Sequence, residues 1–259
     1  MTDNITITYI GGPTALIKYA GLRFLTDPTF DAAGTKYPTP IYTLRKLTGP
    51  ALDVSRLGHI DCVLLSHDHH FDNLDRSGRE FLASVPMVLT TEAGAERLGG
   101  NAVGLANWQE YELTGENGTV LTVTGTPARH GPVDGDRGPV TGFVLARPEA
   151  NGNAIYISGD TVFYEGIPEI ARRFEIQLGL LFMGAAIVPE VGPAHLTLTA
   201  EEAVNTARIF PGSIIIPLHY EGWAHFSESK AEIDAAFESA GLGDRLLWPE
   251  HGRPLDLNI

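Results

Sequence analysis

Residues 62–75 read Cys-Val-Leu-Leu-Ser-His-Asp-His-His-Phe-Asp-Asn-Leu-Asp, a short apolar run that opens into a loop holding three of the chain's nine histidines and three carboxylates. Packing has no use for that density of imidazole and carboxylate in one loop. A divalent cation does, because neutral imidazole nitrogen and carboxylate oxygen are the ligands that zinc and similar metals take. One loop supplies only part of a coordination shell. The fold must therefore bring further donors to it from distant parts of the chain, and this requirement narrows the architectures open to the sequence.

Four polar residues share the loop's position just after a strand-like run. Asp27 follows Leu22–Leu25, His130 follows Val120–Thr124, Asp160 follows Ile155-Tyr156-Ile157, and His219 follows Ile214-Ile215-Ile216. Strand ends in α/β sheets gather on one rim, where loops carry function. Gly131 and Gly159, beside His130 and Asp160, let the backbone approach a ligand closely. Each residue alone has a plainer reading. A lone histidine is commonly structural, Asp160 in Ser-Gly-Asp-Thr can cap a turn, and Asp27 before Pro28 is most simply a turn residue. Their joint occurrence with the loop makes the case for a metal site.

The rest of the chain supports a layered arrangement. Ile5, Ile7 and Tyr9 alternate with threonines, and Ala15–Ile17 and Leu22–Leu25 predict the next two strands. Asp61–Leu65, Met87–Leu89, Thr141–Ala146 and Ala154–Ile157 add further strands, with a turn at Asn151-Gly152-Asn153 before the last. Helices are predicted over Leu74–Ser84, Thr91–Leu98, Thr199–Phe210 and Ser227–Ala240, the third opened by a Thr199/Glu202 capping box. The segment Asp31–Pro50 reads as a long loop over the mouth of the site, with Tyr37 and Tyr42 available as substrate contacts. No repeat or linker interrupts residues 1–259, so one domain is expected. Strand-rich segments followed by helices predict two packed sheets with helices outside, an α/β architecture.

Hydrophobic residues make up 43% of the chain and charged residues 19%; Lys plus Arg is 18 against 32 Asp plus Glu, a formal net charge of −14. That mean field repels nucleic acid and anionic membranes, and Arg172-Arg173 reads as a helix surface. Cys62 is the only cysteine, so no intrachain disulfide forms, which fits a reducing compartment. Met1–Ile10 lacks the basic-then-apolar pattern of a signal peptide, and Leu178–Val188 is too short to span a bilayer. The expectation is a cytoplasmic protein acting on a small molecule, without a nucleic-acid partner or membrane insertion.

Five segments carry a resemblance. Ser66–Asp75, Ala128-Arg129-His130, Ser158-Gly159-Asp160-Thr161, His195 with Thr199–Ala203, and Ile216-Pro217-Leu218-His219 occur in the order seen in metallo-β-lactamase-fold hydrolases. The chain is similar to the branch containing ascorbate-6-phosphate lactonase and N-acyl phosphatidylethanolamine phospholipase D, from about Ile5 to about Pro249. The resemblance implies a four-layer αββα sandwich with one or two divalent metal ions at its rim. Zinc is the default ion, with manganese or iron favoured as oxygen donors increase.

The family's loop is His-x-His-x-Asp-His, and this loop departs from it. One alignment places His67 and His69 on the leading histidines but puts Phe71 and Asp72 where Asp and His belong. The other, preferred because it keeps the carboxylate and the following Leu74-Asp75, matches Asp68, His70, Asp72 and Asn73 and leaves His67 to swing in as the missing imidazole. By resemblance, one metal then takes Asp68, His70 and His130, the second takes Asp72, Asn73 and His219, and Asp160 bridges them. Asn73 is a weak neutral donor, which implies a weak or empty second site. The implied reaction is attack of a metal-bound hydroxide on a small ester, lactone or phosphate-containing substrate. Asp72 would orient the nucleophile and shuttle its proton. His195 would bind substrate or transfer a proton, or else cap the helix starting near Thr199. His59, His69, His225 and His251 read as surface or structural. The alternatives are a nuclease or phosphodiesterase of the same fold, which the acidic balance disfavours, and a non-catalytic binding protein with a degenerate metal site.

Overall fold

The computed structural model describes residues 4–116, 118–134, 137–148 and 153–258. The first part of the chain runs β1 (Asn4–Gly11), β2 (Thr14–Tyr19), β3 (Leu22–Thr26), a short hairpin β4 (Lys36–Pro38) and β5 (Thr43–Arg45), β6 (Cys62–Leu64), α1 (Arg76–Phe81), β7 (Val88–Thr91), α2 (Glu92–Leu98) and β8 (Ala102–Leu105). The second runs β9 (Glu110–Thr114), β10 (Val120–Pro127), β11 (Thr141–Ala146), β12 (Ala154–Ile157), α3 (Gly166–Arg173), β13 (Ile176–Phe182), α4 (Ala200–Ile209), β14 (Ile214–Leu218), α5 (Lys230–Ser239) and β15 (Pro254–Asn258). One sheet has the order β15-β1-β2-β3-β6-β7-β8 and the other β14-β13-β12-β11-β10-β9.

Period-2 alternation divides the first sheet's side chains between two cores. Ile5, Ile7 and Tyr9 of β1, Ala15 and Ile17 of β2, Phe24 of β3 and Leu64 of β6 join the core shared with the second sheet. The intervening Ile10, Leu16, Leu25 and Val63 pack instead with Leu57, Leu74 and Leu82 on the outer face. On the far side, Ile167 and Ile170 of α3, Val204 and Ala207 of α4, and Ile233 and Phe237 of α5 close over the second sheet. The layers are α, β, β, α.

Strand direction sets where the polar exits meet. β3, β6, β7 and β8 are mutually parallel, as are β12, β13 and β14. β10 runs the same way as β12, because each is antiparallel to β11. Two backbone bonds tie the rims together: His219 N–H donates to the Gly12 carbonyl at 2.7 Å, and Thr141 N–H donates to the Ser66 carbonyl at 3.0 Å.

Several details differ from the sequence-based expectation. The Asp31–Pro50 segment carries the β4–β5 hairpin. Tyr37 is buried within it, its ring stacked on Phe71 at 4.8 Å and its hydroxyl donating to Asp31, so Tyr42 alone of the two tyrosines faces the pocket described below. The helix expected from Leu74 starts at Arg76 because the Asp75 side chain caps it. The one expected from Ser227 starts at Lys230, with Ser229 and Glu232 forming a capping box like that of Thr199 and Glu202. The turn at Asn151-Gly152 lies outside the described residues.

Candidate metal centre

The loop after β6 is anchored first by its neighbours. Asp27, at the exit of β3, accepts from Ser66 N–H at 2.6 Å, from Ser66 Oγ at 2.5 Å and from Asn73 Nδ2 at 3.0 Å. Asp75 accepts from the backbone N–H groups of Phe30, Asp31 and Gly78 and from the buried Lys46 ammonium at 2.7 Å. These bonds fix both ends of the decapeptide. Gly159 faces it closely: a Cβ there would lie 2.8 Å from Ser66 Cβ, so the close approach requires glycine.

Between those anchors, His67 Nε2 lies 3.0 Å from His70 Nδ1, and His70 Nδ1 lies 3.2 Å from His130 Nε2. Asp160 reaches both sides of the site. Its Oδ2 is 3.7 Å from His130 Nε2, and its Oδ1 is 3.5 Å from His219 Nε2. His219 Nε2 is also 3.5 Å from Asp72 Oδ2. The ligand atoms of His67, His130 and Asp160 lie within 4.8 Å of one another, as do those of Asp72, Asp160 and His219. Asp27 and His219 both have positive φ, +23° and +52°, sparsely populated for residues other than glycine and tolerated where surrounding structure holds them.

Hydrogen-bond logic shows that these groups fit a cation. Ser66 Oγ donates to Asp27, so at 2.9 Å it accepts from the Nδ1–H of His67, which leaves a lone pair on His67 Nε2. His130 Nδ1 donates to the Leu196 carbonyl at 2.8 Å, which leaves a lone pair on His130 Nε2. Both lone pairs point at His70 Nδ1, where a single hydrogen satisfies one of them well. His219 is fully buried, and among the described residues neither of its ring nitrogens has a hydrogen-bond partner. Converging lone pairs beside two buried carboxylates are the donor set that a divalent cation takes.

The ionisation states agree. Burial, then the neighbouring His130, pushes the His70 imidazole down to about 3; burial pushes His130 down to about 4. Both are therefore neutral imidazoles at physiological pH. Burial raises the Asp72 carboxyl, but the His219 and His225 imidazoles facing it outweigh burial and hold the group well below the usual carboxylate range. Burial and then the Asp72 charge push Asp160 well up. A cation held there would reverse that last effect by supplying the missing positive charge.

Of the residues singled out from sequence, the structure gathers His67, His70, Asp72, His130, Asp160 and His219. Asn73 lies among them, donating to Asp27 and, at 3.2 Å, to Asp160. Asp68 is a correction. Its carboxylate turns away to the Arg97 guanidinium, at 3.0 Å from Nε and 2.5 Å from Nη2, and His67 occupies the place beside His70 and His130. His195 bonds to Glu202 at 3.1 Å, the same carboxylate that closes the capping box on Thr199, which is the helix-capping arrangement. His69 bonds to the Arg137 carbonyl at 2.9 Å, while its ring stays beside His67 and His70. His225 is the residue that sequence reasoning missed. Its Nε2 is 3.0 Å from Asp72 Oδ2, and no strand end or motif marks it.

The donors open on a small pocket walled by Tyr42, Leu44, Arg137, Val188 and Leu196. Tyr42, Leu44, Val188 and His225 also line a larger outer cavity of about 510 Å³.

The chain belongs to the beta-lactamase superfamily, whose domain profile matches residues 22–220. It is 26% identical over 257 residues to a UPF0173 metal-dependent hydrolase of Caldivirga maquilingensis, covering 98% of each chain. It is 28% identical over 144 residues to N-acyl-phosphatidylethanolamine-hydrolyzing phospholipase D 1 of Caenorhabditis elegans, covering 51% of this chain and 38% of that protein. The crystal structure of isothiocyanate hydrolase from Delia radicum gut bacteria superposes with a TM-score of 0.82 at 23% identity, over 98% of this chain and all of that one. The fold is the metallo-β-lactamase fold, and the protein is a metal-dependent hydrolase. Among the described residues, no helix is long and apolar enough to cross a membrane.

Proposed function

We propose that the two donor groups hold a pair of divalent cations and that the protein hydrolyses a small ester, lactone or phosphate-containing molecule bound in the adjoining pocket. His67, His70 and His130 form one group, Asp72 and His219 the other, and Asp160 lies between them. The observation that carries this reading is the convergence of the His67 and His130 lone pairs on His70, beside a His219 whose ring nitrogens have no hydrogen-bond partner among the described residues. When bound, a divalent cation lowers the pKa of water to about 7 and polarises the attacked bond.

The protein's own groups do the rest. Asp72 stays ionised beside the pocket, orients the attacking water as an acceptor and carries its proton toward the leaving group. Leu44, Val188 and Leu196 exclude solvent from one side, and Arg137 and Tyr42 offer the pocket polar contacts. With His67 in place of Asp68, the donor set is rich in imidazole, which favours zinc over manganese or iron. The buried, unpaired Cys62 supports a reducing, cytoplasmic setting. The return of β15 to pair with β1 supports reading the whole chain as one working domain.

The test is chelation followed by reloading with zinc, manganese or ferrous iron, assayed on a panel of small esters, lactones and phosphate esters. The reading expects turnover of at least one class that disappears on chelation, returns on reloading and is lost in Asp72→Asn. Full turnover in the chelated protein or in that variant would overturn it.

A further inference from the structure

The position held by histidine at the end of the family's loop motif is Asn73 here. If Asn73 were the donor, the second group would be left with a neutral amide oxygen. Asn73 commits its amide nitrogen elsewhere, while its Oδ1 is buried with no hydrogen-bond partner among the described residues. Both N–H bonds point at carboxylates, Asp27 Oδ2 at 3.0 Å and Asp160 Oδ1 at 3.2 Å. The reverse amide orientation would set its carbonyl oxygen against those same oxygens, so the orientation is fixed by charge. Asn73 thus works as a clamp that holds Asp160 against the anchored Asp27.

A different imidazole lies where the missing one is needed. His225, in the segment between β14 and α5, has its side chain nine-tenths buried and places Nε2 3.0 Å from Asp72 Oδ2. That oxygen is the one 3.5 Å from His219 Nε2. Two imidazole nitrogens therefore converge on one carboxylate oxygen, as His67 and His130 converge on His70 Nδ1 in the first group. The opposite nitrogen, His225 Nδ1, is buried with no partner among the described residues, so no competing bond turns the ring away. The ring is braced at the Ile187 side of the site, where its own carbonyl accepts from Ile187 N–H at 2.8 Å, and it packs on Phe226 with centroids 4.8 Å apart.

We propose that His225 is a ligand of the second cation, replacing Asn73, so that this chain completes its second site with Asp72, Asp160, His219 and His225. The proposal rests on the two-cation reading above. The sequence lost a histidine at one point of the site and supplies another from a different loop. The second site is then a four-donor site of ordinary strength rather than a degenerate one. His225 also lines both the inner pocket and the outer cavity, so it holds the cation on the side from which substrate enters.

The experiment compares the wild-type protein with His225→Ala and Asn73→Ala. Each is stripped of metal and titrated calorimetrically with zinc, then loaded with cobalt(II) for proton NMR of the contact-shifted imidazole N–H signals. Wild-type protein is expected to take up about two equivalents. His225→Ala should keep the first and weaken the second by ~100-fold or more, beyond the upper end of typical outer-shell effects. It should also lose one contact-shifted N–H signal, and millimolar imidazole should restore the second equivalent. A histidine that merely orients Asp72 would give no such signal, so its absence from the wild-type spectrum overturns the proposal. So does a His225→Ala variant that binds both equivalents with unchanged affinity, or an Asn73→Ala variant that alone loses the second. Failure of the wild-type protein to bind any divalent ion would instead overturn the two-cation reading itself.

Discussion

Replacing Ser66 by alanine removes one oxygen, with consequences that can be worked out in advance. The hydroxyl donates to Asp27 at 2.5 Å and accepts from His67 Nδ1 at 2.9 Å, and so fixes the His67 tautomer that leaves Nε2 free to bind metal. Without it, His67 can place its hydrogen on Nε2, where the lone pair is required. Loss of such an outer-shell partner typically lowers metal affinity by ~10- to 100-fold. A hydrogen bond to a charged group contributes ~1.5–3 kcal/mol, and this one is buried on both sides. The Ser66 N–H still reaches Asp27, so the loop should stay in place.

Zinc titration against a competing chelator should therefore show a weakened first equivalent. Urea denaturation of the metal-free protein should show a loss in that range of a few kcal/mol. The pH dependence supplies a further check. Burial pushes the Asp27 carboxyl up to about 7, with the Ser66 bonds pulling the other way. A raised acid stabilises the fold fully below its unfolded value of ~3.9 and loses that contribution as pH rises through the folded value. In metal-free wild-type protein that loss runs from ~3.9 up to about 7, where it is complete; in Ser66→Ala its upper end should move higher. First-equivalent affinity and stability both equal to wild type would show that the Ser66 hydroxyl does not set the His67 tautomer.

Three other substitutions probe the frame of the site. Lys46→Met leaves the buried Asp75 carboxylate without its cation and should cost ~3–5 kcal/mol by chemical denaturation, whereas a loss under 1 kcal/mol would mean that the backbone donors suffice. Gly78→Ala drives a Cβ into the Pro28 carbonyl oxygen, so calorimetry should show a drop of ~1–3 kcal/mol or more, and an unchanged melting temperature would show that α1 shifts freely. Hydrogen bonding to Glu202 holds the His195 imidazole above its usual value, so this pair stabilises α4 fully below ~6.5 and less as pH rises through the raised value. In Glu202→Gln, NMR should find His195 titrating near its ordinary value, and an unshifted titration would discard the pairing.

The local parts of this fold were legible in the sequence. Ile5, Ile7 and Tyr9 announce a strand with one core face, and Thr199 with Glu202 announces a helix start, because each signal spans a few residues. The unread parts depend on distant partners. β15 exists because Leu255 and Leu257 meet Ile7 and Ile5 across the whole chain. β13 lies between two parallel neighbours and is buried on both faces, so Ile176–Phe182 shows an apolar run without the alternation that marks a strand. The β4–β5 hairpin has one buried residue per strand, Tyr37 and Leu44, too few to set a period.

The candidate donors divide in the same way. His70, His130, Asp160 and His219 stand out in the sequence because each follows a strand and shares an order with a known family. Asp68 drew attention by its position in the motif, yet Arg97, from α2, decides where it points. His225 follows no strand end, and only the folded chain brings it to Asp72.

Anomalous scattering from zinc-loaded crystals would locate the bound cations outright. Two peaks are expected: one in contact with His67, His70 and His130, the other with Asp72 and His219, with Asp160 between them. Crystals soaked in zinc that show no peak there, or peaks only at surface histidines such as His59 and His251, would contradict the two-cation reading.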